Sequence, residues 1–152
     1  MVRKAKISDV EQLVKLVAFY AEKGEMLPRS PTQVFNSIRD YVVVEKEGKI
    51  IGCGALHVIW DDIAEIRTLA VDQAHLGKGI GREIVNYLIE DAYSLGLPKV
   101  FALTYKAGFF EKLGFSQIEK GKLSHKVWQD CWHCPKFPLC DEVAVIRNLD
   151  ES

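Results

Sequence analysis

Apolar positions fall along this chain in two rhythms, one of helical spacing and one of alternation. Val10, Leu13, Val14 and Val17 recur three and four residues apart, with Phe19 beside the stripe, which predicts an amphipathic helix. Ser8 with Glu11 three residues later predicts its capping box, and Gly24 its end. Val2 to Ala5, ahead of it, reads as a short strand. In EMLPRSPTQVFNSI, Ser30 or Thr32 can cap a short second helix that carries Val34, Phe35 and Ile38. From Tyr41 the pattern turns to strands. Tyr41 to Glu45 and Lys49 to Trp60 are the arms of a hairpin around Glu47-Gly48. Gly52 and Gly54 in the second arm predict a bulge or a close backbone approach.

Ile63 to Val71, IAEIRTLAV, is the next strand, and Asp72 to Leu76 a turn. Arg82 to Leu95 then carries Ile84, Val85, Leu88, Ile89 and Ala92 at helical spacing. After the Leu97-Pro98 break come a strand over Lys99 to Thr104 and a short helix over Gly108 to Leu113, stopped by Gly114. Phe115 to Glu119 opens a further strand, and Glu142 to Asn148 is the last. Hairpins and crossovers both occur. The fold class is therefore α/β (α+β): a mixed, mostly antiparallel central sheet with helices on both faces.

Composition narrows the function classes. At 152 residues, 48% hydrophobic and 27% charged, the chain suits one domain, residues 1–152, with a sizeable core. A net charge of −1 gives no electrostatic case for nucleic acid or an anionic membrane. No apolar run approaches the roughly 18 residues of a membrane span, and MVRKAKISD is no signal peptide. The expected localisation is cytoplasmic, with a small-molecule partner; a homodimer stays open.

The chemistry concentrates after Val71. Gly77, Gly79 and Gly81 sit at every second position before a helix. Such spacing strips side chains from backbone N–H groups at the positive end of a helix dipole, where phosphate oxygens dock. Lys78 and Arg82 add formal charge. A plain tight turn without a ligand is the simpler alternative. Gly81 is followed by Arg82-Glu83 rather than Lys-Ser or Lys-Thr, so a Walker loop does not fit. The order Gly-x-Gly-x-Gly also fails the dinucleotide fingerprint.

LGKGIG does resemble the acyl-CoA pyrophosphate loop of the GNAT-type N-acetyltransferase superfamily, Arg/Gln-x-x-Gly-x-Gly/Ala. Gly79 and Gly81 are then the pattern glycines, and Leu76 stands where the family has Arg or Gln. AGFFEKLGF, residues 107–115, is similar to the family's A-x-x-F-Y-E-K-L-G-F segment. The resemblance implies the GNAT fold, the strand order read above and acetyl-CoA as co-substrate. It places the pantetheine arm on the strand edge at Leu69, Ala70 and Val71, a case of strand addition. The diphosphate falls on Leu76, Gly77, Lys78, Gly79, Ile80, Gly81 and Arg82, and Phe110 is a further cofactor contact.

Acyl transfer to an amine needs a neutral amine, a home for the oxyanion and departure of a thiolate. Glu65 and Arg67 interrupt an apolar strand at alternate positions, on one face if the strand is regular. They read either as an ion pair at a sheet end or as chemistry, with Glu65 drawing the amine proton directly or through water. AEIRTLAV resembles the family segment whose Glu is the base. The backbone N–H of Leu69 is the expected oxyanion donor. Phe109-Phe110 replaces the family's Phe-Tyr pair, so the usual acid is missing; Tyr105 can substitute, or a thiolate with pKa near ~8.5 leaves unassisted.

Arg29, Arg67 and Lys126 are the cations expected at the acceptor, and their convergence suits a small dicarboxylate. MLPRS, EIRTLAV, FFEKLGF and HKVWQDC-x-x-CPKFP-x-CDE together resemble the short bacterial N-acetylglutamate synthases. That implies transfer from acetyl-CoA to the α-amine of L-glutamate, the first step of arginine biosynthesis. Another small amine, a protein N-terminus, or a non-catalytic acyl-CoA-binding module are the alternatives. Cys131, Cys134 and Cys140, within a Cys-rich segment spanning 120–141 and near His125 and His133, have the ligand types of a structural zinc site. Reduced thiols packing a Pro-rich loop, or iron–sulfur or another metal, are the alternatives. Cys53 reads as a buried small hydrophobe.

Overall fold

A computed structural model describes residues 1–123 and 142–149. Its strands are β1 (Val2–Lys4), β2 (Tyr41–Lys46), β3 (Lys49–Trp60), β4 (Ile63–Val71), β5 (Lys99–Thr104), β6 (Ser116–Ile118) and β7 (Val143–Asn148). The helices are α1 (Val10–Glu22), α2 (Pro31–Asn36), α3 (Ile80–Ser94) and α4 (Ala107–Glu111). Hydrogen bonding orders the strands β1-β2-β3-β4-β5-β7-β6. β4 and β5 run parallel, whereas β1/β2, β2/β3, β5/β7 and β6/β7 are antiparallel. The mixed, mostly antiparallel sheet expected from the sequence is the observed one.

The chain divides into two compact units. The first holds Met1–His57 and Ile66–Asp91. Its core joins Val10, Leu13, Val17 and Tyr20 of α1 to Val34 of α2, Tyr41 and Val43 of β2, Cys53 and Ala55 of β3, and Ala70 of β4. Neighbouring residues of a strand point to opposite faces, and β3 uses both. Cys53 and Ala55 face α1 and α2. A Cβ at Gly52 or Gly54 would instead lie 3.0 Å or 2.8 Å from Ile84 of α3. The two glycines thus admit close approach of a helix to the other face.

The second unit holds Val58–Glu65 and the described residues from Ala92 onward. β5 pairs along its length with β7, from Lys99↔Asn148 to Thr104↔Val143. Ile63, Phe101, Leu123 and Ala144 form its core cluster. Phe110 of α4 is buried and packs edge-on against Phe109 and Phe115, with centroids 5.2 Å away in each pair. β4 pairs with β5 at Ala64↔Val100 and Glu65↔Phe101.

Several local details differ from expectation. Ser8 does not cap α1. The Asp9 carboxylate organises that end, accepting from the Lys6 N–H at 2.8 Å and from both Arg3 nitrogens at 2.7 and 3.0 Å. Tyr20, not Phe19, completes the buried stripe; Phe19 stays 37% exposed while the Tyr20 hydroxyl donates to the Val71 carbonyl. α3 begins at Ile80 rather than Arg82, because Gly79 already supplies the first acceptor, bonded to Glu83 N at 3.1 Å. α4 is one turn over Ala107–Glu111, and β6 shrinks to Ser116–Ile118. Ser30 does cap α2, with Pro31 following and Gln33 closing the box.

Candidate active site

The site is built outward from β4, which delivers the chain to the glycine loop. At the end of β4, the Asp72 N–H donates to the Ile51 carbonyl at 2.8 Å, tying the loop's entrance to β3. The Asp72 carboxylate meets His75 Nδ1 at 3.1 Å and Lys49 Nζ at 3.3 Å. Burial pushes its pKa up, but those two partners outweigh burial and hold it below the usual carboxylate value. A single 3-10 turn, Gln73–His75, leads on to Leu76.

Gly77 and Gly79 both stand at φ +80°. That left-handed conformation is open to glycine without strain, and it folds the loop back over the start of α3. Among the described residues, no backbone acceptor takes the N–H groups from Gly77 to Arg82. Lys78 and Arg82 are exposed, Gly79, Ile80 and Gly81 half-buried. The result is a cradle of donors at the positive end of a long helix, with two cations at its rim. An unsatisfied donor set of this kind fits a diphosphate.

Upstream in β4, Glu65 and Arg67 are half-buried on either side of the buried Ile66. The strand is not regular beyond them. Thr68, a β-branched residue, sits at φ +57° in mid-strand. Such a residue costs on the order of 1–3 kcal/mol and persists only where its surroundings over-determine it. Here the Cys53 thiol donates to the Thr68 carbonyl at 3.4 Å. Burial drives that thiol's pKa up to about 12, which keeps it protonated as a donor. Cys53 is a buried small residue, as expected, with this added contact.

Arg29 and Arg67 both act on one group, the Tyr41 phenol of β2. Burial raises the Tyr41 pKa; the Thr68 hydroxyl and then the charges of Arg29 and Arg67 pull it back. Loop, β2 and β4 therefore bring two guanidinium groups within electrostatic reach of a single buried hydroxyl. Neither Tyr41 nor Thr68 carries a sequence signal for this. Tyr41 reads as a strand start, and threonine is a good strand former.

A family model described as the acetyltransferase (GNAT) family matches residues 10–115. The chain belongs to that family. Relatives along its full length agree. It is 41% identical to an amino-acid acetyltransferase of Mycobacterium tuberculosis, over 100% of this chain and 85% of the relative. It is 38% identical to an uncharacterized N-acetyltransferase of Chlorobaculum tepidum, over 97% and 96%. Among solved structures, a Mycobacterium tuberculosis protein in complex with CoA superposes with a TM-score of 0.86 at 33% identity, covering 98% of this chain and 99% of that one. N-acetylglutamate synthase from Neisseria gonorrhoeae, complexed with coenzyme A and N-acetyl-glutamate, gives 0.89 at 25% identity. There the match covers 98% of this chain and 35% of the longer one.

This acetyltransferase is thus an enzyme that draws its acyl group from acetyl-CoA, and the Gly77–Arg82 cradle is chemically suited to the donor's diphosphate. Leu76, at the family's Arg/Gln position, is 50% exposed. Ala70 and Val71 are buried and Leu69 half-buried. In the second unit, Tyr105 follows β5 and is 42% exposed, whereas Phe110 is 4% exposed within its aromatic cluster. Lys126, Cys131, Cys134 and Cys140 lie outside the described residues. Among the described residues, no group of His, Cys, Asp and Glu could hold a metal ion, and no helix is long and apolar enough to cross a membrane.

Proposed function

We propose that this enzyme transfers the acetyl group of acetyl-CoA to the α-amine of L-glutamate, the first step of arginine biosynthesis. The observation that carries the reading is the convergence of Arg29 and Arg67 on Tyr41. Arginine forks match carboxylates in bidentate fashion, and two of them acting on one phenol suit an acceptor that carries carboxylates. Similarity to an amino-acid acetyltransferase and to a synthase complexed with N-acetyl-glutamate supports the same acceptor.

In this reading Gly77 to Arg82 hold the diphosphate through backbone N–H groups, with Lys78 and Arg82 adding charge. The β4 edge at Leu69, Ala70 and Val71 carries the pantetheine arm. Glu65, two residues before Arg67, takes a proton from the acceptor nitrogen directly or through water. The amine attacks the thioester carbonyl, whose oxyanion is met by the Leu69 N–H. The kink at Thr68 sets the direction of that N–H, one residue on. Tyr105 protonates the departing sulfur.

The test is steady-state transfer from acetyl-CoA to a panel of the standard amino acids. Glutamate should exceed the others in kcat/KM by about tenfold or more, the selectivity expected of a site with dedicated carboxylate partners. Arg29→Ala and Arg67→Ala should raise KM for glutamate while leaving CoA affinity in place. Equal rates for glutamate, glycine and lysine would refute the assignment.

A further inference from the structure

His57 and Asp40 form a pair that the scheme above leaves unused. His57 lies on β3 two residues beyond Ala55 and four beyond Cys53, so its side chain continues the row facing α1 and α2. The apolar core stops there: the His57 and Asp40 side chains are 37% and 31% exposed. Tyr41 pairs with Ala55 across the ladder, so the chain entering β2 passes beside His57. Asp40, the residue before Tyr41, places Oδ2 3.2 Å from His57 Nδ1. A carboxylate only accepts, so a neutral ring gives it the Nδ1 hydrogen and keeps its lone pair on Nε2. An ion pair this exposed contributes little to stability. Its geometry is that of a base held in one tautomer.

We propose that His57, oriented by Asp40, is a second proton acceptor in the transfer reaction, serving the acceptor amine. The inference rests on the acceptor site drawn above at Arg29, Tyr41 and Arg67. An amino acid arrives near neutral pH as an ammonium ion, and two protons must leave its nitrogen. His57 Nε2 takes the first, giving imidazolium and a free amine whose lone pair forms the C–N bond. The second leaves the tetrahedral adduct for Glu65, while Tyr105 gives its proton to the CoA sulfur as the C–S bond breaks; water carries the Glu65 proton back to the phenolate. The imidazolium then returns its proton to water. The charged and titratable groups that act on the neighbouring Tyr41 are Arg29, Cys53 and Arg67, and Arg39 and Asp40 stand just before it in the 3-10 turn ahead of β2.

The experiment compares the wild type with His57→Gln and Asp40→Asn, from about pH 6 to about pH 9. The acceptor is whichever standard amino acid the wild type uses fastest, so a failure of the glutamate assignment is read separately. His57→Gln should lower kcat/KM about a hundredfold near neutrality and move its acid limb to higher pH. Activity should recover toward alkaline pH, where the amine sheds its own proton. Asp40→Asn should lose less, about tenfold, since the ring is no longer held in that tautomer by a carboxylate. CoA affinity, measured by direct titration, should hold in both. A His57→Gln enzyme within about threefold of wild type with its acid limb intact overturns the proposal. So does a parallel fall in activity and CoA affinity, which marks a structural role.

Discussion

The same left-handed backbone occurs in two places in the first unit, by opposite means. In the loop, Gly77 and Gly79 adopt φ +80° because nothing hinders them; within 4 Å, a Cβ would meet nothing at Gly77 and only the Arg82 guanidinium at Gly79. In β4, Thr68 adopts φ +57° against its own preference. The loop is written into the residues that form it. The kink is imposed by what surrounds it, including the Cys53 thiol and the Tyr41 phenol. In the reading proposed above, each lies next to an N–H group that meets the acyl donor. One is cheap and locally encoded; the other stores strain beside the residues proposed for chemistry.

The sharpest way to break this contrast is at the proposed base. Glu65→Gln should cut kcat by about 10²–10⁴ with CoA affinity retained, so kink and cradle separate in one pair of measurements. Gly54→Val probes a glycine required by its neighbours rather than by φ. Its Cβ would lie 2.8 Å from Ile84, and overpacking of that kind costs about 1–3 kcal/mol, readable by chemical denaturation. Gly79→Thr makes the loop resemble the kink. It should destabilise by about 1–2 kcal/mol and weaken CoA binding about tenfold or more, a loss that calorimetry would register. Thr68→Gly makes the kink resemble the loop. Strain relief and added chain entropy oppose each other, so stability should move by less than about 1 kcal/mol while kcat falls.

The smallest effect appears only in acid. Hydrogen bonding to Arg3 lowers the Asp9 pKa, and His75 and Lys49 lower that of Asp72 against burial. A carboxyl depressed in the folded state stabilises above its unfolded pKa, about 3.9. That contribution is lost as pH falls through the folded value. Denaturation midpoints should therefore be flat near neutrality and drop below about pH 4. Asp9→Asn should flatten that acid limb.

Much of the architecture was legible because it depends on neighbours in sequence. Lys49–Trp60, Ile63–Val71 and Lys99–Thr104 are bounded by turn residues and appear with the expected limits. The Ser30–Gln33 box needs only four consecutive residues. Where distant contacts decide, the sequence misled or was silent. Asp9 displaced Ser8 because Arg3 lies alongside it. Tyr20 displaced Phe19 because a buried hydroxyl found the Val71 carbonyl.

By itself, the sequence determined the alternation of strands and helices, the glycine loop with its free donors, and the family. Each follows from spacing, capping and φ preferences that operate over a few residues. Only the tertiary structure decided that the charges of Arg29 and Arg67 both act on the Tyr41 phenol, that Thr68 is bent against its propensity, and that Asp40 meets His57. Those arrangements join residues from separate elements. No local preference specifies them; packing and electrostatics across the folded chain do.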